Sequence, residues 1–155
     1  MPIQQLPQWV VVCAALLTPV IAILGVYIAW QQWRTNRNKL KFDLFERRYT
    51  FYEASMELIG SIQTTGVATD NAMLAFLVRT KGAQFIVGSD LAEYFDKELY
   101  RKAVELNGLE SELKGLEPGP VRTQNIQRQR EIKNWLSAQR DVLDKKFVPL
   151  LRLSH

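Results

Sequence analysis

Residues 9–30, WVVVCAALLTPVIAILGVYIAW, carry no charge. A helix of this length rises roughly 33 Å, against about 30 Å for the hydrocarbon core of a bilayer. Trp9 and Trp30 close its two ends, where amphipathic indoles favour a membrane–water boundary. All 20 Lys and Arg and all 16 Asp and Glu lie from Arg34 onward. The near-neutral mean hydropathy therefore averages two unlike parts. The pattern predicts a short extracytoplasmic N-terminus (1–8), a transmembrane helix (9–30) and a helical bundle (31–155).

Two other readings of the apolar run fit less well. A secretory signal peptide needs a basic n-region and a small-x-small cleavage site. MPIQQLPQ holds no Lys or Arg, and nothing at residues 27–32 resembles a cleavage signal. A buried core helix is seldom apolar on every side for this length. Directly after the run come Arg34, Arg37, Lys39 and Lys41, opposed nearby only by Asp43. With Trp9, Trp30 and Trp33 they form the expected membrane-interface set. The positive-inside rule then predicts a single-pass protein of a bacterial inner membrane, N-terminus outside and bundle cytoplasmic. The net charge of +4 is no argument for nucleic acid, because this basic cluster has a sufficient role at an anionic lipid surface. Cys13 is the only cysteine, so an intrachain disulfide and a cysteine-based zinc site are excluded.

The expected fold class is all-α: one N-terminal transmembrane helix continuous with an antiparallel bundle of about four helices. No Gly or Pro occurs between Gly25 and Gly60, so the first helix is expected to run far beyond the apolar stretch. Two apolar stripes share it. Phe42, Phe45, Tyr49, Tyr52, Met56 and Ile59 form one, which suits an intrachain core. Leu40, Leu44, Phe51, Leu58 and Ile62 form the other, which suits either core or a second subunit. TTGVATDN at 64–71 reads as a loop, with Asp70 or Asn71 capping a second helix over residues 72–79. Gly82 interrupts that helix, and Gly88 and Ser89 delimit a third that Gly108 is expected to divide. The third helix carries Leu91, Phe95, Leu99, Leu106, Leu109 and Leu113 on one face. EPGP at 117–120 is the clearest break. A last helix is expected over residues 123–147, with Ile132, Trp135, Leu136, Val142 and Leu143 inward and Pro149 stopping or bending it.

The chemistry of the chain is defined by what it lacks. His155, the terminal residue, is the only histidine, which argues against a Ser–His or Cys–His nucleophile and against histidine metal sites. No GxxxxGK[ST] or GxGxxG loop is present to cradle a phosphate. Glu110, Glu112 and Glu117 read as a solvated helix end rather than metal ligands. Arg122, Arg128, Arg130, Lys133 and Arg140 read as a solvated face, diluted by Glu131, Asp141 and Asp144 and without interleaved aromatics. The expectation is a non-enzyme without cofactor or metal.

The apolar run also has internal pattern. Ala15, Thr18, Ala22, Gly25 and Ala29 recur at steps of three and four, a line of small residues through which helix backbones approach closely. Leu40, Leu44, Phe51 and Leu58 fall roughly on the same side of an ideal helix. These nine residues form the expected self-association face. Pro19, mid-run, removes one backbone hydrogen bond and can kink the helix.

The segments YIAWQQWRTNRNKLKFDLFERRYTFYEA and AQFIVGSDLAEYFDKELYRKAVEL resemble a broad set of small bacterial proteins with one N-terminal span, a helical cytoplasmic domain and no assigned activity. More distantly, the layout is similar to the membrane accessory protein of RNA-targeting (type VI) CRISPR systems, an anchored helical oligomer. That family is associated with an Arg–x4–6–His motif. Here Arg152 lies three residues before His155, so the motif is absent. The resemblance implies architecture more than function. The expected function is that of a membrane-anchored homo-oligomer acting as a scaffold or interaction module for an unknown cytoplasmic protein; the alternative, motivated by Pro19, Thr18 and the small-residue line, is a pore or membrane-perturbing effector in antiviral defence.

Overall fold

The computed structural model describes residues 8–152, and of residues 8, 10–16 and 18 the backbone alone. The described residues form helices joined by short turns, with no strand. The elements are α1 (Gln8–Thr65), α2 (Asp70–Thr80), a 3₁₀ turn (Ala83–Phe85), α3 (Ser89–Glu93), a π-helical segment (Tyr94–Tyr100), α4 (Arg101–Leu113) and α5 (Pro120–Leu151). The all-α, roughly four-helix expectation holds at that level. Its transmembrane part does not. Among the described residues no helix is long and apolar enough to cross a membrane. Within α1 the apolar side chains described up to Trp30 are followed at once, on the same continuous helix, by Gln31, Gln32, Arg34 and Arg37. A single-pass anchor, its N-outside topology and a bacterial inner-membrane location lose their support with it. The proposed extracytoplasmic segment falls largely outside the described residues.

Two compact units divide at Phe42 and Asp43. The first consists of the α1 residues through Phe42. Pro19 is accommodated inside the helix.

The second unit, from Asp43, is a bundle with one apolar core. Its hydrogen bonds show the helix directions. Between α1 and α5 they join Arg48 to Leu150, Tyr52 to Asp144 and Gln63 to Ser137. Between α4 and α5 they join Asn125 to Leu109 and Arg128 to Glu105. In both pairs one residue number falls as the other rises, so α5 runs antiparallel to α1 and to α4. Phe51, Leu58 and Ile62 of α1 are buried with Phe76, Phe95, Leu99, Leu106, Ile132, Leu136, Leu143 and Phe147. The Phe95 ring centres this core, 6.5, 6.0 and 6.2 Å from those of Phe51, Phe76 and Phe147.

The core assigns the two α1 stripes differently from the sequence expectation. Phe51, Leu58 and Ile62, from the stripe left open to a second subunit, are inside. Of the stripe expected to be core, Ile59 is buried, Tyr52 and Met56 are half-buried, and Tyr49 is exposed. Tyr52 lies at the rim because its hydroxyl must keep a polar partner.

The π-helical segment follows from spacing. Leu91, Phe95, Leu99 and Ala103, all buried, are separated by steps of four. On an α-helix each such step overshoots by about 40°. The wider π turn keeps all four on the core side. The expected division at Gly108 is absent, since α4 passes through it; the irregularity sits a turn and more earlier. The cap of α2 is Thr69, whose hydroxyl accepts from the Ala72 amide at 3.3 Å, rather than Asp70 or Asn71. The last helix begins at Pro120, in the first-turn position where a missing N–H costs nothing. It continues through Pro149 instead of ending there.

Candidate functional site

The expected self-association face divides between the two units. In the first, Ala22, Gly25, Ala29 and Leu40 are exposed, and a Cβ added at Gly25 would meet nothing within 4 Å. Ala15 and Thr18 fall outside the residues whose side chains are described. In the second unit Leu44 is exposed, whereas Phe51 and Leu58 are 5% and 2% exposed. Those two are core residues of the bundle and are unavailable to another subunit. Sequence periodicity could not separate them from Leu40, because period alone gives a face and not what covers it.

Around the small residues of the first unit lies a dense apolar surface. Leu17, Val20, Ile21, Ile23, Leu24, Val26, Tyr27, Ile28 and Trp30 are between 52% and 71% exposed. Together with Ala22, Gly25 and Ala29, which fill the remaining side, they leave the helix no polar face. This surface ends in an aromatic–basic collar. The Arg34 guanidinium lies 5.9 Å from the centre of the Trp30 ring, and that of Arg37 lies 5.7 Å from Trp33. Both are pairs four residues apart, where helix geometry brings side chains together. Trp9, Trp33 and Lys39 are exposed and Lys41 is half-buried. The lipid-boundary role expected of this set belonged to the span and goes with it.

Polar groups of the second unit are mostly engaged. Arg79 pairs with Glu53 at 2.7 Å and with Glu57, tying α2 to α1. Asn107 donates to the Ala68 carbonyl at 2.7 Å and to Asp70 at 3.1 Å, pinning the α1–α2 loop. Tyr52 donates to Asp144 Oδ1 at 2.7 Å. That hydrogen bond, helped by burial and the Asp144 charge, pushes the phenol up to about 12. Tyr94 donates to Gln139 Oε1 at 2.6 Å; burial and the Glu98 charge push it likewise to about 12. Both phenols thus stay protonated and serve as donors, not as bases. Arg48 donates to the Leu150 carbonyl at 2.8 Å, capping the last turn of α5. None of these pairings was legible beforehand, because the partners lie 22 or more residues apart.

Of the basic residues on α5, Arg122 donates to the Leu116 carbonyl at 2.7 Å, and Arg128 contacts Glu105 and Glu131. Two of the five cations are therefore committed within the chain. Among the described residues no group of three or more His, Cys, Asp or Glu is placed to hold a metal. A groove of about 730 Å³ between α4 and α5 is floored by Leu109, Leu116 and Val121 and bordered by Gln124, Arg128 and Glu131. It contains no nucleophile–base pair.

No protein-family profile, curated protein or solved structure matches this chain.

The functional reading accordingly rests on the molecule itself. Its most unusual feature is the uncovered apolar surface of the first unit.

Proposed function

We propose that this chain is a non-enzymatic helical interaction module that self-associates through residues 17–33 and presents its bundle to a protein partner. The observation that supports this reading is the set of nine large apolar side chains, each more than half exposed, between Leu17 and Trp30. Burying such a side chain completely stabilises by about 1.5–3 kcal/mol, so covering what is exposed on nine of them is worth on the order of 10 kcal/mol. Association costs an estimated 4–15 kcal/mol in lost freedom. A two-helix contact covers one stripe and recovers only part of the gain. Covering a helix that is apolar all round takes neighbours on several sides. The proposed assembly therefore has three or more copies, with Ala22, Gly25 and Ala29 at the closest backbone approach.

Sedimentation of the full chain over a range of concentrations tests this. Wild type is expected as an assembly of three or more copies. Val26→Glu is expected to dissociate it, Gly25→Leu to weaken it, and Ile126→Glu, on the half-exposed face of α5, to leave it intact. A monomeric wild type would overturn the reading.

A further inference from the structure

The segment between α2 and α3 holds a second uncovered aromatic, unrelated to the first unit. Phe85 is 83% exposed, the largest value among the exposed apolar residues of the bundle. Yet it does not sit on a loose loop. Gly82 and Gly88 bracket it with φ of +82° and +93°, in the left-handed region that admits glycine at no steric cost. Between them the Phe85 amide donates to Gly82 O at 3.1 Å, Ile86 to Ala83 O at 3.0 Å and Val87 to Ala83 O at 2.9 Å. Ala83 anchors the turn in the core. The turn thus fixes the backbone that carries this phenyl ring and leaves the ring in water, where apolar burial would be favourable.

Beside that ring is a hollow of about 290 Å³, formed by the same turn with α2 and the π-helical segment. Its floor is Phe76, Leu77, Ala92 and Phe95. A cavity of roughly 150 Å³ suffices for a benzene ring. The hollow also carries one charge of each sign, Lys81 and Asp96, and among the described residues neither forms an ion pair.

The geometry points to a two-fold interface between the bundles of two copies, in which Phe85 of each fills the hollow of the other and Lys81 of each meets Asp96 of the other. A knob adjacent to a hole that fits it, with unlike charges on the same rim, is self-complementary, as an isologous contact requires. A basic or an acidic foreign surface would satisfy only one of the two charges. The interface is independent of the association proposed for residues 17–33.

The test uses the full chain with Cys13→Ser and a single cysteine placed at Gln84 on the rim, read by disulfide formation between copies and by sedimentation. Efficient pairing of Gln84→Cys is expected in the otherwise native surface. Phe85→Asp should weaken bundle pairing by about thirty-fold, as loss of an anchoring aromatic does. Its exposure makes folding insensitive to the change, and an unaltered circular dichroism spectrum checks that. Lys81→Glu and Asp96→Lys should each weaken pairing several-fold, and the double reversal should restore it. No pairing in the native surface, pairing indifferent to Phe85→Asp, or single reversals not rescued by the double would each overturn the interface. Failure here leaves the response to Val26→Glu intact, and failure of the first association leaves a dimer insensitive to Val26→Glu.

Discussion

One helix, α1, carries two apolar regions of opposite fate. Before Phe42 its apolar side chains are exposed on every side; after Asp43 a single stripe, Phe51, Leu58 and Ile62, is almost wholly buried. The difference lies in how the apolar side chains are arranged around the helix. In the second region Glu53, Glu57 and Thr50 occupy the outer side, so α2 and α5 can cover the inner side while the outer side stays in water. In the first region there is no outer side to leave in water, and no other element of the chain contributes to that unit. Amphipathic patterning closes a fold within one chain, whereas uniform apolarity leaves the demand for burial to other molecules.

The sharpest way to break this comparison is to truncate the same kind of side chain in each region. Leu58→Ala removes a fully buried side chain from the bundle core and is expected to destabilise it by about 2–5 kcal/mol. Ile23→Ala, at a residue 69% exposed, is expected to leave the unfolding midpoint of the bundle within experimental error while lowering the affinity of self-association. Denaturant unfolding followed beside sedimentation separates the two effects. If Ile23→Ala destabilised the bundle as Leu58→Ala does, the two regions would not be distinct in the way their burial implies.

A second contrast concerns alkaline pH. Tyr52 and Tyr94 of the bundle have their phenols raised to about 12, against 10.0 for a free tyrosine. The folded state holds these protons more tightly than the unfolded chain. Their contribution is fully present below pH 10 and is lost as pH rises towards 12. Stability of the bundle should therefore fall across that window. Tyr52→Phe should cost about 1 kcal/mol at neutral pH, by loss of the hydrogen bond to Asp144, and should flatten the alkaline loss. An alkaline profile indifferent to Tyr52→Phe would show that this hydrogen bond does not hold in solution.

The two regions also differ in how much of each was legible beforehand. The helices, the break at residues 117–120 and the inward side of α5 follow from period and punctuation, since Ile132, Leu136 and Leu143 recur at helical spacing. Phe51 and Leu58 were misplaced for a definite reason. A helix with two apolar stripes does not say which one its own chain will cover. Arg48, Asn107 and Arg79 were invisible because their partners are brought close only by tertiary folding. The apolar run was read in terms of length and lack of charge. Of the small-residue line, Ala22, Gly25 and Ala29 are exposed, and Ala15 and Thr18 lie outside the residues whose side chains are described.

The smallest expected effect sharpens the same comparison through charge. In the bundle Glu105 accepts from Arg128 Nε at 2.6 Å and from Lys102 Nζ at 3.0 Å. The Arg128 hydrogen bond holds its carboxyl below the usual range, against the opposing effect of burial, with Lys102 adding to the lowering. A carboxylate whose folded-state pKa is depressed stabilises above its unfolded pKa, and that contribution disappears as pH falls through the folded value. Glu105→Gln should therefore leave stability nearly unchanged in strong acid and lower it slightly at neutral pH, more so at low salt than at high salt, because the groups are partly exposed and screened. In the first unit Arg34 and Arg37 lie over tryptophan rings instead of carboxylates, and an aromatic ring does not titrate. Self-association through that unit should accordingly show no acid transition from the collar while the bundle shows one. Unfolding and sedimentation measured along one acid titration compare the two directly. A salt-independent effect of Glu105→Gln, or an acid transition in assembly that Trp30→Leu and Trp33→Leu abolish, would show that charge is deployed alike in both regions.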